Sequence, residues 1–275
     1  MNIVYFGSDV HYISFCYLMG NHNIMALYTY HNDEDFFTEY KIVKTAKEHN
    51  IPVHYEAISE EEIVKYFNED GCDLFFVAEY DKIIHIPPCL SKFCGVNIHL
   101  SLLPEGRSYY PIENAMHKGH KVTGVTMHRL VSHLDSGEIL FQEPIPIETE
   151  NDSVDIYIKA AKSAFSMTKK LMSDFEMCFK NAALQAEKKE YWKRPDSSFF
   201  TLRHGLSLES AKEMVRTFNK MTEVRIDGRA YYVSSAVFSI EPIPSDTLQI
   251  SDNMFLYSVS GGHIRLTVCE KSGEE

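Results

Sequence analysis

The chain has 275 residues, with 27 basic against 39 acidic side chains and a formal net charge of −12. That length fits one large domain or two of unequal size. The acid excess disfavours extensive nucleic-acid contact, and no run is apolar enough for a membrane-spanning helix.

The start, MNIVYFGSD, has neither a basic segment nor a long apolar core, so no secretion signal is expected. NIVYFG is a short apolar run closed by Gly7 and predicts a buried strand. Residues 10 to 19 then fit a helix. IMALYTY predicts a second strand, EYKIVKTAKEHN a helix and IPVHYE a short third strand. SEEEIVKYFNEDG opens on a capping serine with an acidic first turn, and it stops at Gly71. CDLFFVAEY and GVNIHL predict two more buried strands. Strands alternating with helices imply parallel pairing and right-handed crossovers. Ligands of such sheets sit at the carboxyl ends of the strands. Glu79 to Lys82 and Asn97 to Arg107 emerge there.

The second half differs. VTGVTMHRLV and GEILFQEPIPI flank SHLDSG, a turn-rich loop carrying His133 and Asp135. Residues 152 to 184 fit one long helical stretch, and YWKRPDSSFF a linker. SLESAKEMVRTFNK predicts an amphipathic helix with Leu208, Ala211, Val215 and Phe218 on one face. Strands with turn signals at Asp227-Gly228 and Gly261-Gly262 follow, and EKSGEE is expected to fray. The expected fold is therefore α/β. A Rossmann-like, mostly parallel sheet flanked by helices occupies residues 1–195, and a smaller β-rich domain with one amphipathic helix occupies 196–275. The six cysteines, Cys16, Cys72, Cys89, Cys94, Cys178 and Cys269, share no zinc spacing. They read as reduced thiols of a cytoplasmic protein, and no metal is expected.

Alternation puts the Asn97 and His99 side chains on the same side of their strand. With Asp135 they make a constellation suited to acyl transfer to an amine. A neutral imidazole can take the amine's proton, an amide N–H can meet the developing oxyanion, and a carboxylate can orient the ring. The structural alternative is that Asn97 caps a turn, His99 packs at a strand end and Asp135 starts the DSG turn.

NIHLSLLPEGRSYYPI followed by GVTMHRLVSHLDSGEIL resembles the signature of the 10-formyltetrahydrofolate-dependent formyltransferases: Asn-x-His at a strand end, a Ser-Leu-Leu-Pro loop and a Leu-Asp-x-Gly loop. The family acts on glycinamide ribonucleotide, on methionyl-tRNA and on nucleotide-linked amino sugars. The resemblance implies that Asn97, His99 and Asp135 are catalytic and that 10-formyltetrahydrofolate is the formyl donor. It places Val77, Glu79 and Tyr80 near that reduced folate, largely through main-chain groups. Arg107 falls on the basic position of the Ser-Leu-Leu-Pro loop and is the candidate for a pyrophosphate, with pairing to Glu105 as its alternative. Lys82 is a second phosphate candidate or a solvated surface lysine. Departures from the pattern are Ser108 where Gly is usual after the Arg, Tyr109 and Tyr110 in place of small residues, and Glu79-Tyr80 where Gly-Tyr is usual. Tyr109 and Tyr110 could stack on a base or sugar, or one could be core and the other a turn residue.

Arg194-Pro195-Asp196 resembles the segment that ends the catalytic domain in the tRNA and sugar branches. From residue 200 onward basic residues are few and interspersed with acids, which suits a sugar enzyme better than a tRNA enzyme. The implied acceptor is a nucleotide-linked amino-dideoxy sugar, dTDP-linked by resemblance, in bacterial surface-glycan synthesis. A homodimer is expected, with no nucleic-acid or membrane partner. Methionyl-tRNA formyltransferase is the alternative. A dehydrogenase is disfavoured, because FGSDVHYIS lacks the Gly-x-Gly-x-x-Gly fingerprint.

Overall fold

The computed structural model describes residues 1–30, 40–186 and 191–271. These form two compact units. One comprises Met1–Ile112, Lys121–Pro146 and Tyr157–Lys193; the other comprises Glu113–His120, Ile147–Ile156 and the segment from Arg194 onward. The second unit thus takes in two short stretches from the middle of the chain as well as the C-terminal region. Of EKSGEE, expected to fray, Glu270 belongs to the last strand and Lys271 N–H donates to the Ala230 carbonyl at 3.2 Å, whereas residues 272–275 lie outside the described residues. So does Glu39, the first residue of the expected second helix.

In the first unit, β1 (Asn2–Gly7), β2 (Asn23–Tyr28), β3 (Val53–His54), β4 (Leu74–Ala78) and β5 (Gly95–His99) are parallel. β6 (Val122–Arg129) joins β5 antiparallel, and β7 (Ile139–Pro146) joins β6 antiparallel. The seven strands lie in the order β3-β2-β1-β4-β5-β6-β7. The sheet is therefore mostly parallel with an antiparallel edge. β3 pairs through Val53 and His54 only, shorter than IPVHYE suggests. Before it, Pro52 offers its carbonyl to Leu27 N–H at 2.8 Å but has no N–H of its own.

α1 (Tyr12–Asn21), α2 (Lys41–Glu48) and α3 (Glu60–Asn68) connect the strands. Ser59 caps α3 in a full capping box with Glu62. α2 is capped from a distance: both Asp9 carboxylate oxygens accept its first N–H groups, from Lys41 at 2.9 Å and Ile42 at 2.8 Å. α4 (Pro111–His117) follows β5. The expected helix over 152–184 is two helices, α5 (Ser153–Ser173) and α6 (Phe175–Lys180). Asp174 between them leaves helical geometry at φ −151° and ψ 63°. Phe6, Tyr28, Phe67, Phe75 and Phe93 pack as an aromatic cluster of this unit. Tyr5 stacks with Phe76 and meets Phe15 edge-on.

In the second unit, six strands lie in the order β11-β12-β13-β10-β9-β8. They are β8 (Thr201–Leu202), β9 (Glu223–Ile226), β10 (Arg229–Ser239), β11 (Thr247–Ser251), β12 (Met254–Val259) and β13 (Gly262–Glu270). α7 (Leu208–Phe218) packs Leu208, Ala211, Met214 and Val215 onto the buried side of this sheet. Asp227 and Gly228 turn β9 into β10 with φ of 50° and 82°, the left-handed geometry a tight hairpin needs. Among the described residues, no helix is long and apolar enough to cross a membrane.

His11, just after β1, is buried with neither ring nitrogen hydrogen-bonded to a described residue. Burial pushes its pKa down from 6.5 to about 4. Between those values the unfolded chain binds a proton that the folded chain excludes. Stability is therefore full above pH 6.5 and falls as the pH drops towards 4, by up to about 3 kcal/mol. His11→Leu keeps the volume and removes the titration. We expect the loss in urea midpoint between pH 7.5 and pH 5 to shrink in this variant. An equal loss in both proteins would show that the ring protonates without penalty.

Candidate active site

The carboxyl end of β5 brings the first two candidate residues to the edge of the sheet. Asn97 pairs with Val77 on β4 and with His128 on β6. His99 closes β5 two residues later, on the same side of the strand. Asp135 arrives from the loop between β6 and β7. That loop is drawn in tightly: a Cβ on Gly137 would lie 1.9 Å from the Arg129 carbonyl oxygen, so only glycine allows the approach. Arg129 N–H also donates to the Glu138 carbonyl at 2.9 Å. Asp135 itself sits at φ 48°.

The three side chains converge. Asn97 Nδ2 donates to Asp135 Oδ1 at 3.2 Å, and His99 Nδ1 lies 3.7 Å from Asp135 Oδ2. His99 Nε2 is 2.7 Å from the Gly106 carbonyl oxygen and donates to it. That bond fixes the tautomer, so the lone pair of the neutral ring is on Nδ1. Ser108 N–H donates to Asp135 Oδ2 at 2.9 Å. Asp135 is only 6% exposed. Burial alone would raise its pKa, but the attraction of His99 and His128, exerted by their charged forms, and the Ser108 N–H outweigh burial and hold the carboxyl well below the usual carboxylate range. The group is an anion at any ordinary pH.

His128 belongs to this cluster, although no motif in the sequence marks it. It is 1% exposed. Its Nδ1 donates to the Arg129 carbonyl at 2.8 Å, which leaves Nε2 to accept from Asn97 Nδ2 at 3.0 Å. Both N–H bonds of the Asn97 amide are therefore engaged, one by a carboxylate and one by a neutral ring. The reverse amide orientation would set its oxygen against Asp135, so the nitrogen assignment is electrostatically determined.

Arg107 is turned inward and engaged by protein groups. It is 4% exposed, and Nε and Nη2 both donate to Gln185 Oε1. Its guanidinium lies 6.0 Å from the centre of the Tyr191 ring, and its carbonyl accepts from Trp192 N–H at 2.9 Å. Gln185 Nε2 in turn donates to the carbonyls of Asp135 and Gly137, each at 2.8 Å. Arg107 thus ties the chain around residue 185 to the loop that presents Asp135. Removing it strands the Gln185 oxygen, and Arg107→Ala is expected to cost about 1–3 kcal/mol in urea unfolding. Arg107→Lys should recover little, because an ammonium lacks the planar fork. An unchanged unfolding midpoint would instead leave the guanidinium available to a ligand.

The remaining candidates are dispersed. The Val77 side chain is buried in the core with Phe6, Tyr28 and Phe75, which leaves its main-chain groups for the contact expected of it. Glu79 follows β4 at φ 64° and is half-buried; burial raises its pKa, an effect that His99 opposes. Tyr80 meets Phe6 edge-on at 5.4 Å, and its buried hydroxyl has no hydrogen-bond partner among the described residues. Lys82 pairs with Asp81 at 3.0 Å and lies over the rings of Tyr30 and Tyr80. Tyr109 is 53% exposed and Tyr110 is half-buried. Among the described residues, no group of three His, Cys, Asp or Glu is placed to hold a metal ion.

Comparison with known proteins fits this geometry. The formyl transferase family model matches residues 23–170. Methionyl-tRNA formyltransferase of Thermotoga neapolitana is 30% identical over 156 residues, which is 56% of this chain and 48% of that protein. The chain spans about half the length of the curated relatives it matches. Among solved structures, the sugar 3N-formyl transferase WlaRD, determined with dTDP and 5-N-formyl-THF, superposes with a TM-score of 0.60 at 20% identity over 98% of both chains. The N-formyltransferase of Helicobacter canadensis, in complex with folinic acid and dTDP-3-aminofucose, gives 0.63 at 19% identity over 98% of this chain and 99% of that one. At such identities these two likenesses establish the fold.

Proposed function

Because the chain belongs to the formyl transferase family, we propose that it transfers a formyl group from 10-formyltetrahydrofolate to the amino group of a nucleotide-linked amino-dideoxy sugar. The observation that carries the chemistry is the convergence of Asn97, His99 and Asp135 within 3.2–3.7 Å. For the acceptor, support comes from the extent of the structural match. It runs over nearly the whole of two sugar enzymes, including the second unit, and one of them was solved with dTDP-3-aminofucose. The preferred acceptor is therefore a dTDP-linked 3-amino or 4-amino sugar destined for a surface glycan.

The folate supplies an electrophilic formyl carbon. The side chains fit such a donor: one buried anion, one imidazole with a free lone pair, and an amide whose N–H groups are held by Asp135 and His128 beside them. The Tyr80 hydroxyl, which has no hydrogen-bond partner among the described residues, is the group we assign to the donor's side. His99 Nδ1 takes a proton from the attacking amine, and that proton comes to lie beside the Asp135 carboxylate. Nε2 stays on the Gly106 carbonyl, so the ring does not turn as Nδ1 is used. Asn97 meets the negative charge that develops on the formyl oxygen. To do so it gives up the N–H now held by His128, because an anion outcompetes a neutral ring acceptor. Arg107 and Gln185 position the Asp135 loop.

We place the chain in the cytoplasm. Its six cysteines are free thiols, in keeping with a reducing compartment. We also propose a homodimer, for which the second unit offers exposed apolar residues at Val237, Leu248 and Ile250. A second acceptor, methionyl-tRNA, is favoured by sequence identity of 30–33% to the tRNA enzymes. The two readings are separated by supplying 10-formyltetrahydrofolate with dTDP-linked 3- and 4-amino sugars, glycinamide ribonucleotide or charged initiator tRNA, and following tetrahydrofolate release. We expect turnover with an amino sugar. Turnover with tRNA alone would overturn the acceptor assignment.

A further inference from the structure

Glu79 occupies an unusual place beside the catalytic cluster. Ala78 pairs with Ile98, so Glu79 leaves β4 alongside His99. Its φ of 64° lies in the left-handed region that residues with a Cβ avoid. A glycine would be the ordinary occupant. Its carboxyl group makes no hydrogen bond and no ion pair to any described residue, yet it interacts electrostatically with His99. The groups facing it are His99 on β5, Tyr30 just after β2 and Tyr40 just before α2. Burial raises the pKa of both tyrosines, so they stay neutral. A strained carboxyl with no partner among the described residues, beside the ring of His99, is a combination associated with function.

Proton accounting gives this group a task, provided the chain transfers formyl to an amine as proposed above. An alkyl amine reaches the site mainly as R–NH₃⁺ near neutral pH, whereas the nitrogen of the product amide carries one hydrogen. Two protons must therefore leave the acceptor. One is needed on the departing nitrogen of the donor, and the other needs a separate base. His99 has a single lone pair for this work, on Nδ1, because Nε2–H is held by Gly106. Asp135 is a weak base with both oxygens engaged.

We propose that Glu79 is a further catalytic residue: its carboxylate receives the acceptor's ammonium group, removes one proton and leaves a neutral amine beside His99. In this step an N–H bond breaks, an O–H bond forms on Glu79, and the electron pair stays on nitrogen. That pair then forms the C–N bond to the formyl carbon while a second proton passes to His99 Nδ1. The C–N bond to the donor breaks, and the departing nitrogen takes that second proton from His99. Glu79 returns its own proton to water. Its burial suits the task, because a carboxyl with a raised pKa is a better acceptor than an exposed one. The acceptor selected is a primary amine that is cationic in solution.

The test compares wild type, Glu79→Gln and Glu79→Gly from pH 6 to pH 9 with the dTDP-amino sugar that wild type turns over best. Glycine suits the left-handed backbone, so that variant retains the fold. We expect both variants to lose roughly 100-fold in kcat/KM for the sugar at pH 7, with the folate KM unchanged. The gap should narrow by about tenfold per pH unit as the amine loses its proton in solution. With an alkoxyamine analogue of the same sugar, neutral at pH 7, the variants should match wild type. Equal profiles for wild type and Glu79→Gln would overturn the proposal. So would a loss that is the same at every pH and with both acceptors, or a loss of folate affinity. If wild type formylates no amine at all, the formyl-transfer reading fails first, and this proposal with it.

Discussion

His99→Asn is expected to lower turnover by roughly 10²–10⁴-fold, the usual worth of general-base assistance. Asparagine overlays only the near edge of the ring and does not reach the Gly106 carbonyl, so the bond that His99 Nε2 makes at 2.7 Å is lost with the ring and the fold of the variant is checked first. What the variant lacks for the chemistry is the lone pair on the atom 3.7 Å from Asp135 Oδ2. The loss should therefore fall on kcat, with folate and acceptor KM values changed little, because the missing interaction is made only as the amine gives up its proton. Single-turnover rates with saturating substrates provide the measurement. A well-folded variant with wild-type turnover would leave His99 as a structural residue whose work is to hold the Gly106 loop.

What could be read from the sequence follows the range of the interactions involved. β1, β4 and β5 are buried on both faces, so their apolar runs are continuous and their ends marked, and Asn97 and His99 stand out as polar residues where β5 stops. The capping box of α3 is legible because Ser59 and Glu62 are three residues apart. Asp135 is legible through its loop motif. His128 is not, since nothing local signals that β6 runs antiparallel to β5 and sets residue 128 opposite residue 97. Gln185 is 78 residues from Arg107 and 50 from Asp135, and no periodicity encodes such a bridge. Arg107 illustrates the same limit in reverse. Its motif position suggests a ligand contact, and only the tertiary partner at Gln185 accounts for its burial. The cap that Asp9 supplies to α2 is equally invisible, because the residue preceding that helix is Tyr40.

Asp135→Asn tests the cluster from its centre, and the effect should appear in both rate and stability. One carboxylate oxygen accepts from Ser108 N–H and the other from Asn97 Nδ2. An amide can keep the first bond, but its NH₂ then faces the NH₂ of Asn97, donor against donor in a buried site. Unmade buried hydrogen bonds cost about 1–3 kcal/mol, and the ring of His99 loses the anion beside it. Turnover should fall by roughly 10²–10⁴-fold. The pH dependence fixes the cause. The carboxyl of the folded chain is held below its unfolded value of 3.8, so its contribution is fully present above that value and is lost only as pH falls towards the lower, folded pKa. The difference in urea midpoint between wild type and Asp135→Asn should accordingly persist from pH 7 to pH 4.5 and shrink near pH 3. A difference already gone at pH 4.5 would mean an ordinary carboxyl, and the hydrogen bonds from Asn97 and Ser108 would then not be holding an anion.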